Sequence, residues 1–505
     1  MLKNHTRRSI LFGTAAAFVR GADRPVASAV AAGDVAHDSA LIWSRSDRPS
    51  RMLVRWRTSE KGPSHLVRGP VCDASTDFTA KLMLKGLPEN QTILYDVQFE
   101  EGKSVSEPVR GRLRTASRKA RDIRFTWSGD VVGQGYGINP DWGGLRGFEA
   151  VRQTQPDFFL HSGDTIYADG PLQAETKLPD GTIWRNLVTP EKSKVAETLA
   201  EFRGAYKYNL MDGHFRKFLS EVPQVWQWDD HEVLNNWSSS TDLRDNARYT
   251  EKDIKVLSAR ARQAFGEYSP IPFDGGRGIH RKLHYGPLLD VFVLDMRSFR
   301  GPNTFNRQPQ EGAETDFLGA EQMDWFKKAL RESKAVWKVI AADMPIGLLV
   351  PDGKDAAGQA KFEAIANGDG PAMGREIETA RLLRFIKENR IRNTVWFTAD
   401  VHYTAAHHYS PDRAQYQDFD PFWEFVSGPL HAGTFGPAAL DNTFGPEMVF
   451  AKHPPKGQGN LPPSAGLQFF GDVLIDAATQ SMRVVLRDIS GAALYTKLLE
   501  PTRST

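Results

Sequence analysis

This 505-residue chain has almost no cysteine; Cys72 is its only one. A single thiol excludes an intrachain disulfide and any zinc cluster built on cysteine. A nucleophilic cysteine would also need a base and an orienting group beside it. The sequence around Cys72 offers neither and fits a small buried side chain. Charge of one sign is lacking too, with 64 Lys and Arg against 62 Asp and Glu, a formal net charge of +2. That balance gives no chain-wide attraction to nucleic acid or anionic membrane, and no nucleic-acid surface is evident. Long apolar runs are missing as well. The uncharged stretch from Ile10 to Val19 falls short of the roughly 20 residues that span a bilayer, and no later run reaches that length. Internal repeats and low-complexity segments are absent. What remains is 40% hydrophobic and 25% charged residues, a globular composition with length for two or three domains.

The chain divides into three stretches. Residues 1–32 have the pattern of a twin-arginine export signal: Thr6-Arg7-Arg8-Ser9-Ile10-Leu11-Phe12, then the mostly apolar run Gly13 to Val19. Ala27-Ser28-Ala29 or Ala29-Val30-Ala31 offers small residues for a signal peptidase. The expected partner is the twin-arginine export machinery, and the expected location is periplasmic or extracellular, with no transmembrane anchor. Residues 33–118 read as a small β-domain. Short β-rich runs such as Ala40–Trp43, Met52–Trp56 and Thr92–Val97 are separated by turn residues. Its end resembles a fibronectin III or immunoglobulin-like sandwich with Tyr95 at the corner position. From 119 to 505, short apolar strands alternate with helical patterns, which predicts an α/β layered domain. Ile377, Ala380, Leu383 and Ile386 recur at helical spacing ahead of the strand Thr394–Thr398. The tail, around Leu467–Phe470 and Met482–Leu486, predicts a β-meander that extends a sheet.

Four stretches place acids or imidazoles where a strand ends, which is where α/β folds hold ligands. Trp127-Ser128-Gly129-Asp130 runs into a glycine-rich loop, and Asp130 taken alone reads as an ordinary turn residue or helix N-cap. In His161-Ser162-Gly163-Asp164-Thr165-Ile166-Tyr167, Gly163 allows a tight turn from which Asp164 projects, and Tyr167 returns to the same point. A carboxylate there suits two cations held roughly 3.5–4 Å apart, and a phenolate suits a strongly Lewis-acidic metal. Trp228-Asp229-Asp230-His231-Glu232, with Asn235 and Asn236 behind, crowds carboxylates that repel unless cations are near. In Thr398-Ala399-Asp400-Val401-His402, alternation along an extended segment would put Asp400 and His402 on one side, facing one metal site.

Together with Leu294-Asp295-Met296-Arg297, these motifs resemble the PhoD alkaline phosphatases within the metallophosphoesterases. The resemblance covers nearly everything from residue 33 onward. It implies an αββα-like layered sandwich after the β-domain, and a metal cluster that binds the phosphate of small-molecule phosphate esters. It further implies that Asp164 bridges metals, that Tyr167 binds iron, and that Asp130, Asp230, Asp400 and His402 complete the ligands. His231 matches the residue that stabilises or protonates the leaving group, and Asn235 and Arg297 match phosphate contacts. Some members use iron(III) with calcium. Here Asp130 stands where some members place a cysteine, Val132 where a histidine follows, and Ala399 where glycine is more usual. A hard oxygen donor in place of sulfur still suits a hard cation and leaves manganese or zinc as alternatives.

The expected activity is phosphomonoester hydrolysis by metal-activated water or oxo attack, with phosphodiesterase or phospholipase D-like activity as the alternative. A non-catalytic cell-surface binding module is the reading from another class. Export in the folded state suits an enzyme that must load its metal first.

Overall fold

The protein is described by a computed structural model covering residues 24–273, 275–276 and 278–502; the twin-arginine motif lies outside the described residues. The N-terminal strands are β1 (Ala27–Gly33), β2 (Ser39–Ser46), β3 (Ser50–Arg57), β4 (His65–Cys72), β5 (Thr79–Lys85), β6 (Thr92–Glu101), β7 (Ser104–Val105) and β8 (Val109–Arg114). Side-chain alternation explains them: β6 turns Ile93, Tyr95, Val97 and Phe99 inward and its polar residues outward. Strands β1, β2 and β5 pack against the sheet of β3, β4, β6, β7 and β8, and the core between them includes Val30, Ile42, Val54 and Phe99. Cys72 lies buried in that core, as a small side chain should. Tyr95 departs from the corner reading. It sits near the start of β6 at 0% exposure with Gly111 opposite leaving room for its ring, but its buried hydroxyl makes no hydrogen bond back to the backbone as a corner tyrosine does.

The remaining strands, in chain order, are β9 (Ile123–Ser128), β10 (Phe158–His161), β11 (Glu175–Lys177), β12 (Ile183–Arg185), β13 (Gln224–Trp226), β14 (Arg281–His284), β15 (Leu289–Val293) and β16 (Trp337–Ala341). They continue with β17 (Pro351–Lys354), β18 (Ala360–Phe362), β19 (Thr394–Thr398), β20 (Thr404–Tyr409), β21 (Phe422–Val426) and β22 (Pro446–Lys452), and end with β23 (Phe469–Ile475), β24 (Met482–Asp488) and β25 (Ala493–Leu499). Two sheets face each other. One runs β25-β24-β23-β9-β10-β13-β1-β2-β5, and the other β14-β15-β16-β19-β21-β20-β22. Fully apolar stretches such as Val291, Val339, Val395 and Phe425 meet Phe125, Leu160 and Val225 in the layer between them. Such strands have both faces covered, which explains their continuous hydrophobicity.

Helices α1 (Arg146–Gln153), α2 (Leu199–Asn209), α3 (Gly213–Glu221) and α4 (Ile254–Tyr268) contribute to the core outside the first sheet, and α5 (Gly319–Glu332) and α6 (Glu376–Glu388) to that outside the second. The layers are therefore αββα. The predicted helix before Thr394 is α6, and the tail meander is β23–β25, antiparallel to β9. No helix among the described residues is long and apolar enough to cross a membrane.

The first strand bears on the expected start of the β-domain. The expected start of the β-domain at residue 33 falls at the end of β1, whose Ala29 to Ala32 are at most 2% exposed. The β-domain is also not a detached unit. Strand β1 pairs with β2 on one side and runs parallel to β13 on the other, so the sandwich shares a sheet with the αββα layers. Bonds from Trp43 Nε1 to the Glu267 carbonyl (2.8 Å) and from Arg281 to Asp34 reinforce the junction. Cutting after Ala29 would remove three of the seven residues of β1, and cutting after Ala31 five, from a strand that both parts need. A chain beginning at Arg24 should fold, whereas one beginning at Ala32 should be insoluble or melt at least about 10 °C lower. Thermal melting of the two truncations checks this, and equal melting temperatures would refute the structural role of β1.

Candidate metal centre

Each of the four motifs ends a strand of the facing sheets, so their loops meet at one edge. Strand β9 delivers Asp130, β10 delivers Asp164 and Tyr167, β13 delivers Asp229 to Glu232, and β19 delivers Asp400 and His402. The turns are tight. Asp130, Val132, Asp164, Asp400 and His402 all have φ between 49° and 66°, in the left-handed region that side chains rarely adopt. For β-branched Val132 this is strain, held by bonds from its N–H to the His431 carbonyl (2.7 Å) and from Val131 N–H to the Asp164 carbonyl (3.0 Å). Gly163, at φ 101°, is required on two counts: a Cβ there would overlap Asp229.

Asp130, Asp164 and His402 each offer a ligand atom within 4.8 Å of the others. So do Asp164, Asp230 and His231, and again Asp229, Asp230 and Asp400. The three groups share members and form one continuous centre. Both carboxylate oxygens of Asp130, Oδ2 of Asp229 and Oδ1 of Asp230 are buried without a hydrogen-bond donor. Such oxygens normally have partners, and hard cations satisfy them. The donor set therefore fits metal ions. Tyr167 adds its hydroxyl, 2.7 Å from His402 Nε2. His402 is oriented from behind by the Gly433 carbonyl at Nδ1 and by that bond presents Nε2 to the centre.

Titration follows from burial and crowding. Burial pushes the Asp130 carboxyl up to about 8, and the charges of Asp230 and Glu232 add to it. Asp164, Asp229 and Asp400 are raised well above the usual carboxylate range for the same first reason. Burial lowers His402 to about 4, so its imidazole is neutral and ready to bind a metal. Burial also opposes a charged His231, but Asp169, Asp230 and Asp164 outweigh it and hold that imidazole well above its ordinary value.

A matching of the whole chain against known families agrees with this geometry. Residues 125–486 match the PhoD-like phosphatase family, and residues 13–117 match the N-terminal domain of PhoD-like phosphatases. The chain belongs to the PhoD-like phosphatase family. It is similar to alkaline phosphatase D of Bacillus subtilis (strain 168), at 25% identity over 401 residues, 75% of this chain. The match spans 64% of that relative's length. Among solved structures it resembles "Structure of PhoD" at TM-score 0.67 and 18% identity, covering 93% of this chain and 88% of the other. It also resembles the purple acid phosphatase PPD1 from yellow lupin (Lupinus luteus) seeds at TM-score 0.54 and 13% identity, covering 94% and 74%. These two likenesses concern the fold.

The structure brings Asp130, Asp164, Tyr167, Asp230, His231, Asp400 and His402 together, and Asn235 lines the same cleft. Two expectations are corrected by its geometry. Asp400 and His402 do not alternate along an extended strand, because β19 ends at Thr398 and both residues are left-handed. They consequently join different groups, Asp400 with Asp229 and Asp230, His402 with Asp130 and Asp164. Arg297 is not open to the cleft: it is 1% exposed and its guanidinium is taken up by Asp229, Asp343 and Glu363. It braces the carboxylates from beneath rather than presenting a face to a ligand.

Asp169, Asp343 and Glu363 escape a reading of the sequence, and Glu232, named in the third motif, takes a bracing role that the motif does not disclose. Asp169 holds His231 Nδ1 at 2.6 Å and accepts the Asn235 N–H at 3.0 Å. Glu232 accepts from the N–H groups of Asp164, Thr165 and Asp229 and so ties two loops together. Asp343 follows β16 by two residues and could have been found by the strand-end rule, whereas Glu363 comes from a hairpin and carries no local signal.

Two outcomes follow from the electrostatics. Arg297→Met leaves the buried Asp229 and Asp343 without their cation, and Glu363 with Arg300 alone at 3.7 Å, and should cost about 3–5 kcal/mol in a denaturant titration; a change below about 1 kcal/mol would show that Arg297 does not brace them. Groups whose folded pKa is raised lend stability that is complete below the unfolded value, 3.8 for Asp130, and is lost as pH rises through the folded one, about 8. Chelated protein should therefore melt progressively lower between pH 5 and about 8.5, and metal-loaded protein should not. Melting curves at four pH values with and without chelator test this.

Proposed function

We propose that the protein is an exported, metal-dependent phosphatase that hydrolyses phosphomonoesters. The observation that carries this reading is the set of buried, donor-less carboxylate oxygens on Asp130, Asp229 and Asp230 at the meeting of four strand-end loops. Asp130, Asp164, Tyr167 and His402 would hold one metal position, and Asp164, Asp229, Asp230 and Asp400 a neighbouring one, with Asp164 between them. Iron(III) with calcium fits a phenolate and carboxylate set, and manganese or zinc would also accept these donors. Bound metal ions would supply neutralisation of the phosphate oxygens and acidification of a water nucleophile.

The chain's own groups do the remainder. His231, held protonated by Asp169, stands at the cleft wall at 8% exposure and can donate a proton from Nε2 to a departing alkoxide. Asp169 fixes the ring so that Nδ1 is engaged and Nε2 faces the centre. Asn235, exposed on the same wall, can donate its amide to a phosphate oxygen. The export reading rests on the leader motif Thr6 to Phe12, and periplasmic or extracellular location follows from it. A diester is the second reading, because the cleft, about 440 Å3, has room for more than a phosphoryl group. A non-catalytic binding module is disfavoured by the intact set of acids and imidazoles.

Asp164→Asn should lower hydrolysis by at least about 100-fold and reduce the metal content measured by elemental analysis. Near-normal activity of that variant would overturn the assignment. Rates on p-nitrophenyl phosphate against bis-p-nitrophenyl phosphate separate the monoester from the diester reading.

A further inference from the structure

The cleft over the metal centre has a mixed lining, and the amide of Asn236 meets the apolar part at the Pro351 carbonyl (3.4 Å). One part of its lining is polar, from Gln134, Asp230, His231, Asn235 and Asn236. The other is formed by two short apolar segments, Leu349-Val350-Pro351 and Phe435-Gly436-Pro437-Ala438, with Val401 beside them. Phe435 is 36% exposed, one of the large apolar side chains left open to water, and its ring centroid lies 5.5 Å from that of His402. Leu349 and Val350 are half-buried, and Pro351 and Pro437 are exposed.

The two segments are fastened to each other and to the centre. Leu349 N–H donates to the Ala439 carbonyl at 2.9 Å, and Leu348 forms a β-bridge with Leu440. Phe435 N–H donates to the carbonyl of His402 at 3.3 Å, so the phenyl ring is positioned by a residue of the centre itself. Gly436 is needed for this path. At φ 93° a side chain would be strained, and its Cβ would overlap the Tyr403 ring beneath. The backbone therefore holds these apolar groups at the rim instead of letting them fold inward. Apolar surface kept in water beside a polar centre marks a ligand site, since a scattered exposed residue would need no such support.

We propose that this wall, with Phe435 at its centre, binds the apolar organic group esterified to the phosphate, so that the enzyme favours phosphate esters of alkyl or aryl alcohols over those of small polar alcohols. This rests on the phosphoesterase reading above and names the substrate class for the same site. The phosphate would sit at the metal centre, and the carbon chain or ring would lie against Phe435, Val350, Pro437 and Val401. Burying part of each methylene there multiplies affinity step by step, whereas a sugar or amino-alcohol group would lose water without gaining partners on that side.

The test uses metal-loaded full-length protein and alkylphosphonates, whose carbon–phosphorus bond resists hydrolysis, so binding is measured apart from turnover. Calorimetry should show affinity rising roughly tenfold or more from methyl- to hexylphosphonate. In Phe435→Ser the hexyl-to-methyl ratio should fall to about threefold or less, and Phe435→Leu should restore it. Val350→Ser should also reduce the ratio, from the adjoining segment. Equal affinity for methyl- and hexylphosphonate in the unaltered protein would overturn the wall while leaving the phosphoesterase reading intact. A ratio unchanged in both serine variants would do the same. Failure of every phosphonate to bind the loaded protein would overturn both together.

Discussion

Carboxylates crowded out of water repel one another, and the architecture around this site is arranged to hold them despite that. Asp130, Asp164, Asp229, Asp230 and Asp400 are linked through overlapping groups whose ligand atoms lie within 4.8 Å of one another, all but Asp400 at 2% exposure or less. Without cations the cheapest response is protonation, which is why burial raises most of these groups so far. Protons and metal ions therefore compete for the same oxygens. Arg297 meets part of the demand from below, with Asp229, Asp343 and Glu363 around it, and the unpartnered oxygens above are left for ions.

The layered fold makes this crowding affordable. Parallel strands β9, β10 and β13 from one sheet and β19 from the other end at the same edge, so their loops converge without long excursions. The strands themselves contribute an apolar layer from Phe125 to Val473. Strain is confined to the loops, where left-handed residues turn side chains toward the centre and cross-loop bonds from Glu232 and His431 hold them there. The N-terminal sandwich joins the same framework through β1, so it is part of the support of β13 and the loop that follows it.

Above the centre, the cleft lining carries both kinds of group: His231, held by Asp169, and Asn235 are polar and suited to charge and proton transfer, and Phe435 and the strip at Leu349 to Pro351 are apolar. The proposed binding of an ester's organic group rests on that apolar strip.

Local sequence determined a good deal. Apolar strands, the helix at Ile377 to Ile386, the tail meander and the four acid-bearing strand ends are all written in short-range pattern, because periodicity and turn residues act over a few positions. The convergence of Asp130, Asp164, Asp230 and His402 was expected from those strand ends, and the family motifs agree with it. Tertiary structure alone decided the rest. Asp169 reaches His231 across 62 positions, Glu363 reaches Arg297 across 66, and the Phe435 wall meets Leu349 to Pro351 across more than 80, none with a local signature. Even Asp400 and His402, two residues apart, part company because their backbone is left-handed. Which groups share a proton, a cation or a ligand depends on distances through space, and in this protein those distances are set by how two sheets and their loops pack.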